Sequence, residues 1–152
     1  MKKTDLAYYA GIFDGEGTVG IIERKPSKKG NNPNFYLAVT ICSTDEWLVR
    51  QLQFAFGGSV YKGKSSQPQN HPVWGWTIAC KKAIAFLEVI LPYLHLKRAQ
   101  VEIGLRMQRT VRNKGGEKLQ RRLTDGEVAW RQAQKILISN LNHKRSNLDG
   151  KD

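Results

Sequence analysis

The sequence predicts an α+β domain in the order α-β-β-α-β-β-α. A curved antiparallel four-stranded sheet is covered on one face by helices, and an extra helix follows at the C-terminal end. Three observations predict it. Helical and alternating hydrophobic periods succeed one another in that order. Each pair of alternating runs is joined by a turn-rich loop, as in a hairpin, with no crossover helix between them. Finally, 152 residues with 40% apolar content suffice for one core. Residues 1–152 therefore read as a single domain, with its core at about 4–107 and the C-terminal helix at about 124–145.

Taken in order, Thr4 is placed to cap a first helix in which Leu6, Tyr9, Ala10 and Phe13 fall at helical spacing. "TVGIIERK" and "NFYLAVTIC" form the first strand pair. Phe35, Leu37, Val39 and Ile41 alternate with Asn34, Tyr36, Ala38, Thr40 and Cys42, and "PSKKGNNPN" supplies a basic hairpin tip. Ser43 and Glu46 have the spacing of a capping box for a second helix, roughly Thr44 to Phe56, with Leu48, Leu52 and Ala55 inward. "SVYKGK" and "VWGWTIAC" make the second strand pair, with Trp74, Trp76 and Ile78 toward the core. Ala83, Phe86, Leu87, Ile90 and Leu91 define a third helix that ends at Pro92. Helical spacing resumes at Leu96, Ala99, Ile103 and Met107. Thr124 and Glu127 box the start of the last helix, with Trp130, Ala133, Leu137 and Leu141 on one face.

Twenty-five Lys and Arg against thirteen Asp and Glu leave a net charge of +12, which points to a polyanionic partner. Nucleic acid is favoured over a membrane, because no apolar run approaches the roughly 18 residues of a spanning helix. No secretory signal follows Lys2 and Lys3, so a soluble, intracellular protein is expected. Cys42 and Cys80 lack a C-x-x-C pair and the histidines are isolated. Neither a zinc site nor a disulfide is indicated, and both cysteines read as reduced and structural.

The segment "LAYYAGIFDGEGTVGII" carries the chemistry. Gly11 within a helix costs about 1 kcal/mol relative to alanine, and with Ala7 and Ala10 it leaves one flank nearly bare. A second helix could pack there closely. If that helix belonged to an identical subunit, the two Asp14-Gly15-Glu16-Gly17 segments would meet at a two-fold axis. Carboxylates so close repel unless a cation lies between them, and carboxylate and carbonyl oxygens suit Mg²⁺. Taken alone, Asp14 and Glu16 read equally as solvated turn residues.

"YAGIFDGEG", Tyr9 to Gly17, resembles the LAGLIDADG motif of homing endonucleases. Ala10, Gly11, Asp14 and Gly17 are identical to it. Tyr9, Ile12 and Phe13 keep its hydrophobic character, Gly15 is small and Glu16 acidic. The element order is also similar to that family's core, and "LPYLHLKRAQ" is similar to its segment carrying an active-site lysine, so the resemblance spans roughly Thr4 to Met107. Two departures stand out: Glu16 where the family usually has aspartate, and Tyr9 where it has leucine.

The resemblance implies a single-motif homodimer that makes metal-dependent double-strand breaks in a long near-palindromic DNA site. It also implies short 3′ overhangs and a role in intron or intein mobility. Glu16 of each subunit and the Gly15 carbonyl would hold the metal, Lys97 would stand near the scissile phosphate, and Asp14 would support the helix end. Mg²⁺ is the expected metal, with Mn²⁺ substituting and Ca²⁺ supporting binding without turnover. Without the motif, Lys97 reads as a solvated lysine between helices.

Base readout is expected from the strand face opposite Val19 and Ile21. That face comprises Thr18, Gly20, Ile22 and Arg24, then Asn34, Tyr36 and Thr40. Lys28, Lys29, Lys62 and Lys64 extend it toward phosphates, and Arg24 is the guanine reader. Two alternatives remain. Asp14 followed by Glu23-x-Lys25 has the residue order of the PD-(D/E)xK nucleases, although Asp14 ends a helix where that pattern needs a strand edge. A non-cleaving DNA-binding protein or RNA-splicing maturase could use the same scaffold.

Overall fold

The computed structural model describes residues 1–26, 32–63, 71–111 and 122–146. Its elements are α1 (Lys3–Glu16), β1 (Gly17–Arg24), β2 (Asn34–Ser43), α2 (Glu46–Phe56), β3 (Ser59–Lys62), β4 (Trp74–Ala79), α3 (Cys80–Ile90), a 3₁₀ turn (Leu91–Tyr93), α4 (Arg98–Arg109) and α5 (Asp125–Ser146). The four strands form one antiparallel sheet in the order β1-β2-β4-β3. Each hairpin pairs with itself, and β2 meets β4 at the centre.

Strand alternation decides which face is dry. Val19, Ile21, Phe35, Leu37, Val39, Ile41, Trp76 and Ile78 are buried against the helices, together with Phe13, Leu52, Phe86, Leu87 and Val101. Among the described residues the other face carries no helix. An antiparallel sheet tolerates this because each strand presents opposite faces on alternate residues. Among the described residues no helix is long and apolar enough to cross a membrane.

Several local expectations are corrected. Thr4 lies inside α1, whose N-cap is Lys2; the Lys2 N–H donates to Asp5 Oδ2 at 3.0 Å. α2 is capped by Asp45, which accepts from the Trp47 N–H at 2.9 Å, while Ser43 Oγ, at the end of β2, accepts from the Asp45 N–H at 3.0 Å. Val49 replaces Leu48 as the buried partner of Leu52. Cys80 is exposed at the start of α3.

The inward faces of α4 and α5 are rotated from those expected. In α4 the buried residues are Gln100, Val101, Gly104, Leu105, Met107 and Gln108, whereas Leu96 and Ala99 are exposed. Gln108 Oε1 accepts the Leu37 N–H at 2.7 Å, at a point where β4 has ended and offers β2 no partner. In α5, Arg131, Gln134 and Ile138 face inward, while Trp130 and Leu137 are 37% and 47% exposed. Polar docking explains the rotation: Arg131 donates to Thr110 O at 2.9 Å, Asn142 to Val19 O at 3.0 Å, and Lys135 pairs with Glu23 at 2.8 Å. The Thr124–Glu127 capping box is formed as the spacing predicts.

Candidate active site and nucleic-acid interface

α1 runs into β1 without a loop, because Gly17 is both the helix C-cap and the first residue of the strand. Phe13 and Ala10 fix this end by complete burial. Asp14 is only 9% exposed and accepts three backbone N–H groups from the turn before α4. His95 donates to Oδ2 at 2.8 Å, and Leu96 and Lys97 donate to Oδ1 at 3.2 and 3.0 Å. The Lys97 side chain returns across the same joint. Its Nζ donates to the carbonyls of Phe13 at 3.1 Å, Gly15 at 3.4 Å and Gly17 at 2.5 Å, and stands 5.7 Å from the centre of the Phe13 ring. Gly15 and Glu16 are exposed beyond this joint.

Among the described residues no three or more His, Cys, Asp or Glu side chains converge. One chain therefore offers a hard-oxygen half-set, the Glu16 carboxylate with the Gly15 carbonyl. Hard oxygens of this kind suit Mg²⁺ or Mn²⁺. On the α1 flank, Ala7, Gly11 and Gly15 are exposed. With Tyr8, Ile12, Glu16 and Leu48 they line a shallow depression of about 450 Å³. A Cβ on Gly11 would meet no atom of the same chain within 4 Å. Ala10 is corrected: it belongs to the core of the chain and not to this flank.

On the open face of the sheet, Thr18, Ile22, Arg24 and Asn34 are exposed, and Gly20, Tyr36 and Thr40 are half-buried. The pairs Thr18–Thr40, Gly20–Ala38, Ile22–Tyr36 and Arg24–Asn34 place them in cross-strand rows. The Arg24 guanidinium carbon stands 5.7 Å from the centre of the Tyr36 ring, which limits its rotamers. Thr40 and Thr77 continue one row across β2 and β4. Lys62 is corrected. Its strand parity is that of the inward Val60, and its ammonium lies 5.7 Å from the Trp74 ring centre on the helix-covered side. Lys28, Lys29 and Lys64 lie outside the described residues.

Tyr61 is the open-face residue that sequence reasoning missed. Directly opposite Gly75, its ring occupies the space a Gly75 Cβ would need, and it remains 46% exposed. Burial, and contact with Cys42 secondarily, raise its phenol pKa. The available signal was parity, since residues next to the inward Val60 must point outward. The Glu23 and Lys25 alternative loses its geometry: Glu23 is engaged by Lys135 of α5 on the covered side, and Asp14 by the turn before α4.

No family model matches the sequence, and no curated protein matches it. Solved structures do. The homing endonuclease I-CvuI, solved with DNA in the presence of Mg with the DNA uncleaved and also with its target in the presence of Ca, is 19% identical with a TM-score of 0.70 over 91% of this chain and 82% of its own. The archaeal intron-encoded homing endonuclease I-Vdi141I, complexed with DNA, is 12% identical with a TM-score of 0.60 over 93% and 99%. The LAGLIDADG meganuclease I-AabMI, bound to uncleaved DNA, is 18% identical with a TM-score of 0.63; 85% of this chain matches 44% of that one.

Proposed function

From a chain that has the fold of the LAGLIDADG homing endonucleases, we propose a homodimeric, divalent-metal-dependent DNA endonuclease that makes double-strand breaks in a long near-palindromic site. The observation that carries this reading is the α1 exit. An exposed carboxylate and a held ammonium stand at the end of a helix whose flank, Ala7 and Gly11, is bare enough for a second copy.

In this reading two α1 helices pack flank to flank and bring Glu16 and the Gly15 carbonyl of each chain together. Two facing carboxylates repel, and a shared cation relieves that repulsion. Bound there, Mg²⁺ would lower the pKa of an attacking water and offset charge on the phosphate. Lys97 stabilises the negative charge that develops as the phosphodiester is hydrolysed. Thr18, Gly20, Ile22, Arg24, Asn34, Tyr36 and Thr40, joined by Tyr61, read the major groove, with Arg24 suited to the O6 and N7 edge of guanine. Lys28, Lys29 and Lys64 contact phosphates, and the +12 charge steers the chain to DNA.

Selection from a randomised near-palindromic library tests this. The expected sites are near-palindromic, cut on both strands with short 3′ overhangs in Mg²⁺ or Mn²⁺, and bound but uncut in Ca²⁺. DNA that is bound tightly yet never cut in Mg²⁺ would favour the binding-only reading.

A further inference from the structure

The two side chains that tie α1 to α4 cross the same joint in opposite directions. The Asp14 carboxylate, from the last turn of α1, accepts the N–H groups of His95, Leu96 and Lys97 at the N-terminus of α4. The Lys97 ammonium, from that N-terminus, donates to the carbonyls of Phe13, Gly15 and Gly17 at the C-terminus of α1. Each charge thus meets the helix end of opposite partial charge. Neither helix supplies its own: α1 has no basic residue in its last turn, and Lys97, the N-cap of α4, makes no side-chain cap bond. Each helix takes its terminal charge from the other.

A lysine side chain has four rotatable bonds, so its ammonium is placed only if both ends are held. The carbonyls hold the Nζ end. Asp14 holds the backbone end, and it is the residue immediately before the exposed Gly15 and Glu16. We propose that Asp14 is a positioning residue of the cleavage reaction: by fixing the Lys97 backbone it sets where the ammonium stands relative to Glu16, and so governs cleavage rate and not DNA affinity. The proposal rests on the nuclease reading of the same site. Asp14 does not ligate metal in this account, because its oxygens face the N–H groups of residues 95 to 97 in a nearly closed environment.

A double-mutant cycle on full-length protein and a selected DNA site tests it. Asp14→Asn keeps the shape but halves the acceptors. Single-turnover cleavage in Mg²⁺ is expected to fall by about 10- to 100-fold, the range that a misplacement of about 1 Å can cause. The Kd in Ca²⁺ should move less than about 2-fold. In a Lys97→Met background the same substitution should slow cleavage by less than about 2-fold further, because there is no ammonium left to place. Asp14→Glu, which keeps the charge one methylene away, gives the same pattern and serves if the amide variant does not fold. A full loss on top of Lys97→Met, or an equal loss of DNA affinity, overturns the proposal alone. Absence of cleavage by wild type on any bound site overturns the nuclease reading and this proposal with it.

Discussion

The chain passes from helix to strand twice, and the two passages are built differently. α2 leaves through Gly57 and Gly58, both with positive φ (72° and 93°), where side-chain-bearing residues are strained. Packing seals that turn: Trp76 Nε1 donates to Gly57 O at 2.8 Å, and Phe56 meets Phe86 edge-on with ring centres 4.8 Å apart. α1 leaves through Gly17 in ordinary extended backbone, and polar groups seal its end through Asp14 and Lys97. One passage is thus closed by aromatic packing with an indole hydrogen bond, the other by charged groups above the buried Phe13. In the α1 passage the sealing groups run on into Gly15 and Glu16, which are exposed, so charge reaches solvent there.

That contrast can be broken by substitution. In the α1 passage, Lys97→Met should slow cleavage of bound DNA by about 100- to 1,000-fold, the range seen when one positioned charge stabiliser is removed, with little change in affinity. Single-turnover rates beside equilibrium binding would check it. In the α2 passage the effect should fall on stability alone. Gly58→Ala forces a Cβ into a positive-φ position against Ile78 and the Thr77 carbonyl. A loss of about 2–4 kcal/mol in urea unfolding is expected, with unchanged cleavage per folded molecule. Glu23→Gln should do least, since its pair with Lys135 is partly solvated and removing it costs at most about 1 kcal/mol. Cleavage should persist, whereas loss of cleavage by folded Glu23→Gln would revive the competing nuclease assignment.

The order of elements was legible because hydrophobic period changes sharply at each boundary, and the open strand face because Val19 and Ile21 fix parity over eight continuous residues of β1. Lys62 and Tyr61 were harder to place, because β3 has four residues and only Val60 as an inward apolar side chain to mark its parity. The faces of α4 and α5 were not legible for another reason. Gln108, Arg131 and Asn142 dock through backbone groups far away in sequence, so polar residues occupy positions where a hydrophobic stripe was sought. The α1 exit showed itself as acids among glycines, but the partners of Asp14 lie 81 to 83 residues along the chain. No local pattern reports such a contact.

The assignment of the metal to the α1 exit is tested most directly by Glu16→Gln, measured for binding to a selected site in Ca²⁺ and for cleavage of that site in Mg²⁺. The substitution removes one anionic oxygen from each half-set and leaves every residue of the open strand face in place. The account predicts affinity within a few-fold of wild type and no detectable cleavage. Cleavage by Glu16→Gln at a rate near that of wild type would contradict it.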